Sequence, residues 1–133
     1  MVAVKTLLKT TELKHINILT KNIEASWKFY KDVLGVRYCY EFHSKKIVGK
    51  LNDFDFFIEE IPDLSPLHSS FHIGLRTTPE NVYGWYEHLK NKGIQFVEGN
   101  NGKADIHAVK GTNRVALYFT DPDGTTIEIY SPE

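Results

Sequence analysis

The sequence predicts an α+β protein built from two tandem βαβββ modules, and three observations carry that prediction. The segment His15-Ile16-Asn17-Ile18-Leu19-Thr20 alternates side-chain character with the period of two that marks a strand. The stretch that follows, Glu24 to Leu34, changes to the i, i+3, i+4 spacing of an amphipathic helix. The same succession then recurs: His72 stands 57 residues after His15, while Trp85, Gly93 and Ile94 each stand 58 after Trp27, Gly35 and Val36. A strand, a helix and a helix-ending glycine repeated in order are a duplication.

The first helix places Ala25, Phe29 and Val33 on one apolar line and Trp27, Tyr30 and Leu34 on the next, and Gly35 closes it as a C′ residue. Three short strands follow at Val36–Phe42, Lys46–Leu51 and Phe54–Ile61, joined by turns of Gly, Asn, Asp and other polar residues. Pro62-Asp63-Leu64-Ser65-Pro66 is a turn-rich linker. The pattern restarts at Phe71–Arg76, enters a helix through Thr77-Thr78-Pro79-Glu80, and leaves it near Lys92. It continues through Ile94–Glu98, a Gly/Asn-rich loop over Gly99–Gly102, a strand at Arg114–Thr120, the Asp121-Pro122-Asp123-Gly124 turn and a last strand at Thr125–Tyr130. One domain is expected: an N-terminal extension over 1–13, a first module over 14–61, a linker over 62–69 and a second module over 70–133.

At 133 residues the chain has single-domain length. Its formal net charge of −1 gives no electrostatic reason to expect nucleic acid or an anionic membrane. No apolar run approaches the ~20 residues of a membrane-spanning helix. The lone Cys39 cannot form an internal disulfide, and Lys5 and Lys9 break the apolar opening, so nothing reads as a secretory signal. A cytoplasmic protein with small-molecule partners, or copies of itself, is the expectation. Gly-rich phosphate loops, CxxC pairs and G-x-S-x-G elbows are absent from the sequence.

Two helices cannot cover both faces of roughly eight strands. Each should pack on one side of a sheet whose other side curls around a cavity, giving a half-open, cavity-enclosing sheet. Ile16, Ile18, Phe71, Ile73, Leu75, Val115, Leu117, Phe119, Ile127 and Ile129 sort beneath the helices. The opposite register puts His15, Asn17, His72, Arg76, Tyr118, Glu128 and Tyr130 toward the cavity, with Asp55, Phe57 and Glu59 if Phe54, Phe56 and Ile58 pack inward. Two imidazoles and a carboxylate leave coordination positions open and suit a divalent ion such as Zn, Ni, Mn or Fe. His43, His68, His88 and His107 read as surface or loop residues, His107 near the pocket rim.

From the first histidine onward, His15-Ile-Asn-Ile, Ile23-Glu-Ala-Ser-Trp-Lys-Phe-Tyr-Lys-Asp-Val-Leu-Gly35, Phe71-His-Ile-Gly-Leu75 and Leu117-Tyr-Phe-Thr-Asp-Pro-Asp-Gly-Thr-Thr-Ile-Glu-Ile-Tyr130 resemble the vicinal oxygen chelate superfamily of glyoxalases, bleomycin-resistance proteins and extradiol dioxygenases. The resemblance implies that His15, His72 and Glu128 bind a divalent metal. It also implies a homodimer in which the first module of one chain faces the second module of another. Asn17, Asp55, Phe57, Arg76, Tyr118 and Tyr130 would line the substrate pocket, and Glu128 would double as catalytic base in a glyoxalase-like lyase or isomerase acting on a small oxygen-chelating substrate. Asp55 or Glu59 is a fourth ligand only if it faces the ion; a turn hydrogen bond and a wet strand end are the plainer readings. Tyr118 matches a tyrosine that touches substrate in the fosfomycin-resistance thiol transferases, although Lys110-Gly-Thr-Asn-Arg-Val115 replaces the Ser-rich cation-binding loop of the glutathione-using members. Thiol transfer, extradiol ring cleavage and drug binding without turnover are the alternatives to the lyase reading.

Overall fold

The structure, a computed structural model, describes residues 12–132, so most of the expected N-terminal extension lies outside the described residues. The first module runs β1 (His15–Thr20), α1 (Ile23–Asp32), β2 (Arg37–His43), β3 (Lys46–Leu51) and β4 (Phe54–Glu60). The second runs β5 (His72–Arg76), α2 (Pro79–Asn91), β6 (His107–Ala108), β7 (Val115–Thr120) and β8 (Thr126–Ser131). Each module folds into a four-stranded sheet, ordered β1-β4-β3-β2 and β5-β8-β7-β6. Short turns make β2, β3 and β4 antiparallel neighbours, while the helix carries the chain back so that β1 pairs parallel with β4 and β5 with β8. The strands that open the modules are therefore both edge strands.

Local chemistry explains the helix ends. Asn22 Oδ1 accepts from the Ala25 amide and Thr78 Oγ1 from the Asn81 amide, each satisfying an N–H that the first helical turn leaves free. Pro79 opens α2, where its missing N–H costs nothing. Both helices exit through glycines with positive φ, Gly35 at 79° and Gly93 at 73°.

One core joins the modules: Ile18, Tyr30, Leu34, Phe56 and Ile58 pack in the same cluster as Val82, Leu89, Leu117, Phe119, Ile127 and Ile129. Polar contacts stitch the joint. The Tyr30 hydroxyl donates to Asp121 Oδ2 at 2.7 Å, the Lys21 amide donates to Asp123 Oδ1 at 2.9 Å, and His88 Nε2 donates to the Val33 carbonyl at 2.8 Å. His88 is thus a half-buried tie between modules, where the sequence suggested a surface or loop residue.

Three other expectations are corrected. Ala25 is exposed, and the buried line of α1 runs through Ser26 and Tyr30, because the helix meets the core one residue further round than the apolar count suggests. Phe71 is 50% exposed, since it belongs to the loop before β5 and the strand begins at His72. Ile94–Glu98 forms no strand; Phe96 makes a single bridge to Phe119, and the outer strand of the second sheet is the two-residue β6.

Candidate metal centre

Pairing register sorts side chains into rows across each sheet. In the second module Gly74, Glu128 and Tyr118 share one row, and Arg76, Tyr130, Ala116 and His107 share the next. Residues two apart along a strand are ~6.6–6.8 Å apart, so the second row lies about that far from Glu128. In the first module His15 and Asp55 share a row with Lys50 and Arg37; Asn17, Phe57, Val48 and Tyr40 form the next; Leu19, Glu59, Lys46 and His43 form the third. Alternation thus turns His15, Asn17, Asp55, Phe57 and Glu59 to the side opposite buried Ile18, Phe56 and Ile58, as the sequence suggested.

His72 and Glu128 meet. Nε2 of His72 lies 3.3 Å from Oε1 of Glu128, and both side chains are partly accessible. The other ring nitrogen, Nδ1, sits 3.0 Å from the Ser70 carbonyl. A carbonyl only accepts, so Nδ1 carries a proton, and a ring with no second proton presents the Nε2 lone pair to the carboxylate. Two acceptors facing each other at that distance are satisfied by a proton or by a metal ion between them. A backbone carbonyl fixing the tautomer from behind is how metal-binding imidazoles are held. The donor set therefore fits a divalent cation, which His72 and Glu128 would hold between them.

Tyr118 completes this cluster. Its hydroxyl donates to Oε2 of Glu128 at 2.9 Å, and its ring meets that of His72 edge-on, with centroids 5.8 Å apart. Burial, then the hydrogen bond to Glu128 and that carboxylate's charge, push the phenol up to about 12, so it remains a donor at neutral pH. Gly74 leaves bare backbone beside Glu128: a Cβ there would lie 3.1 Å from the Tyr130 ring and 3.6 Å from Glu128 Oε1. A concavity of about 330 Å³ opens over Tyr118, Glu128, Tyr130, His107 and Arg114.

His15 does not join them within the chain. Among the described residues no three His, Cys, Asp or Glu side chains converge on one point. His15 packs against Phe57, ring centroids 4.7 Å apart, and lines a cleft of about 660 Å³ between the edge strands β1 and β5, whose other wall includes His72 and Arg76. The two acidic candidates on its face are engaged by lysines. Asp55 Oδ1 lies 3.3 Å from Lys50 Nζ, and Glu59 accepts from Asn17 at 3.0 Å with Lys46 Nζ at 3.6 Å. The Asn17 hydrogen bond, then the Lys46 charge, hold the Glu59 carboxyl below the usual range. Arg76 and Arg114 have no ion pair among the described residues. Sequence reasoning missed the Ser70 carbonyl, for which no side-chain signal exists.

This fold and this site define a class. The profile of the Glyoxalase/Bleomycin resistance protein/Dioxygenase superfamily matches residues 12–129, and the chain belongs to that superfamily. Among curated proteins it is 29% identical over 125 residues to a metallothiol transferase FosB of Staphylococcus haemolyticus, covering 90% of this chain and 82% of that one. Among solved structures it resembles a genomically encoded fosfomycin resistance protein, FosX, from Listeria monocytogenes, with a TM-score of 0.77, 18% identity, and 94% and 96% of the two chains covered. A lactoylglutathione lyase from Agrobacterium tumefaciens shares the fold at a TM-score of 0.72 and 14% identity, over 92% and 95% of the chains.

Proposed function

We propose that the protein is a divalent-metal-dependent transferase that joins a thiol to a small oxygen-rich anion of the fosfomycin kind. The observation that carries this reading is the state of Glu128: one carboxylate oxygen takes the Tyr118 hydroxyl and the other faces His72. A carboxylate with one oxygen held by a hydrogen bond and the other sharing a point with the His72 ring nitrogen suits a ligand better than the shuttling base that lyase or isomerase chemistry asks of it. Asp55 and Glu59, the other carboxylates that sequence offered for proton transfer, are paired with Lys50 and Lys46. The metallothiol transferase relatives support the same choice, so transfer takes precedence over the lyase that the sequence favoured.

In this reading His72 and Glu128 of one chain and His15 of a second copy hold the metal. The ion supplies electrophilic polarisation of a substrate oxygen. Tyr118 fixes Glu128, and Gly74 beside it brings no side chain that would crowd the Tyr130 ring and the carboxylate. Arg76 and Tyr130, one row along, receive the anionic group, and a guanidinium suits that task because its donors match paired oxygens. Asn17 and Phe57, beside His15 on the first module, would close the pocket from the other side. The thiol sulfur bonds to a substrate carbon as that carbon's C–O bond breaks, and the released oxygen takes up a proton.

The test is incubation of purified protein, Mn(II) or Zn(II), fosfomycin and a low-molecular-weight thiol. The expected result is metal-dependent loss of free thiol with a one-to-one adduct by mass spectrometry, absent after chelation. Metal-dependent isomerisation of a thiohemiacetal without adduct formation would restore the lyase. Tight fosfomycin binding with no product would make it a sequestering protein.

A further inference from the structure

The loop between α2 and β6 lies against the back of this site. Gly99 has a φ of 53°, in the left-handed region that favours glycine. A Cβ built there would fall 2.2 to 2.4 Å from Cγ, Cδ1 and Cδ2 of Tyr118. Those atoms belong to the root of the ring, and Tyr118 is 3% exposed, so the ring cannot swing aside without displacing its neighbours. The loop is pinned on both sides of this contact. The Val97 amide donates to the Tyr118 carbonyl at 2.8 Å, and Asn101 Nδ2 donates to the carbonyls of Asp105 and Ala116, each at 3.0 Å. Asp105 is anchored in turn by the Tyr86 hydroxyl at 2.8 Å.

We propose that Gly99 is a positioning residue: its backbone, held by Asn101, clamps the Tyr118 ring so that the hydroxyl stays on Oε2 of Glu128 and Oε1 alone is turned toward His72. The clamp thereby sets the carboxylate as a one-oxygen ligand. This rests on the reading of Glu128 as a metal ligand, but the packing that it requires exists in the metal-free chain. A residue of any other type at position 99 meets both penalties, the backbone conformation and the ring. Gly99 itself brings no side chain to the cavity, which Asn100 and Asn101 of the same loop line, and it acts through Tyr118.

Two measurements test it, one without metal. In apo protein, nitration by tetranitromethane followed by peptide mass spectrometry should spare Tyr118 while modifying Tyr38, Tyr40 and Tyr83, which are 53%, 51% and 48% exposed. Gly99→Ala should raise Tyr118 nitration about tenfold or more, and Asn101→Ala, which adds no atoms, should raise it in the same direction if Gly99→Ala fails to fold. Tyr118 protected as in wild type in folded variants overturns the clamp. In the second measurement, calorimetry with Mn(II) or Zn(II), Tyr118→Phe and Gly99→Ala should each weaken binding about 10- to 100-fold, the usual cost of losing a ligand's supporting partner. Gly99→Ala in the Tyr118→Phe background should cost less than about a further threefold. The phenyl ring still collides there, so a full additive loss would mean that Gly99 acts through strain alone, and the proposal fails. A wild type that binds neither ion removes the metal reading and leaves nitration to decide the clamp.

Discussion

At the scale of single residues, the site is a set of aligned lone pairs. His72 is oriented by the Ser70 carbonyl and Glu128 by the Tyr118 hydroxyl, so both donors are placed before any ligand arrives. Replacing His72 or Glu128 with alanine should abolish binding of Mn(II) or Zn(II) in calorimetry, a loss of at least ~100-fold, while far-ultraviolet circular dichroism stays unchanged. Retained stoichiometric binding in either variant would place the centre elsewhere. His72, Glu128 and Tyr118 were legible in the sequence because strand alternation gives each side chain a face, and the cavity face is where polar residues interrupt an otherwise apolar pattern. The partners that orient them were not. A backbone carbonyl has no sequence signature, and the glycine packed on Tyr118 is 19 residues away along the chain, in a loop that composition marks only as a turn. Likewise the pairing of Asp55 with Lys50 and of Glu59 with Lys46 depends on the β3–β4 register, which is fixed only once the sheet forms.

At the scale of elements, polar side chains make the joints. Tyr30, fully buried, bonds Asp121 in the turn that precedes β8, and Asp121 also accepts the amides of Asp123 and Thr125. Burial pushes the Asp121 carboxyl up, and the Tyr30 hydrogen bond opposes that rise. A raised carboxylate favours the fold most below its unfolded value, and that contribution is lost as pH rises through the folded value. Tyr30→Phe removes the opposing bond, so its cost should be about 1–3 kcal/mol near pH 7 and smaller near pH 4, measured by denaturant unfolding. Glu60 has the other sign. The Lys45 ammonium, then the Ile23 amide at the start of α1, hold its carboxyl below the usual range. That contribution is complete above the ordinary carboxylate value of ~4.3 and fades as pH falls through the folded one. The thermal midpoint of Glu60→Gln should therefore lie below wild type at pH 7 and converge with it toward pH 3. Strands that alternate cleanly, β1, β4, β7 and β8, were read to within a residue or two. The segment Ile94–Glu98 alternates too, yet Gly99 turns the chain away after one bridge, and a packing constraint at the next residue overrode the local pattern.

At the scale of the whole molecule, both modules carry a metal-type histidine on an edge strand, and among the described residues His15 stays apart from His72 and Glu128. A second copy that brings its own His15 to this chain's His72 and Glu128 would complete the set, and two such sites would form per dimer. Sedimentation should show a dimer at working concentration. Mixing His15→Ala with His72→Ala protein, each unable to bind metal well, should restore one intact site per mixed dimer after subunit exchange. A monomer, or mixtures that remain metal-free after exchange, would exclude this assembly.

The parallel pairing of first and last strands has a kinetic consequence. β1 cannot find its partner until β4 has been made, some 40 residues later, and β5 must wait more than 50 residues for β8. Closing loops of that length before any sheet contact rewards them slows folding, and on the ribosome each module is committed only when its final strand emerges. The first module can therefore close while the second is still being synthesised, but Tyr30 must wait for Asp121, 91 residues downstream, before the two halves dock. Until then the residues of the first module that pack on the second, such as Phe29 against Phe119, stay uncovered, and the interval in which this protein is most exposed to aggregation falls between the synthesis of Glu60 and that of Ser131.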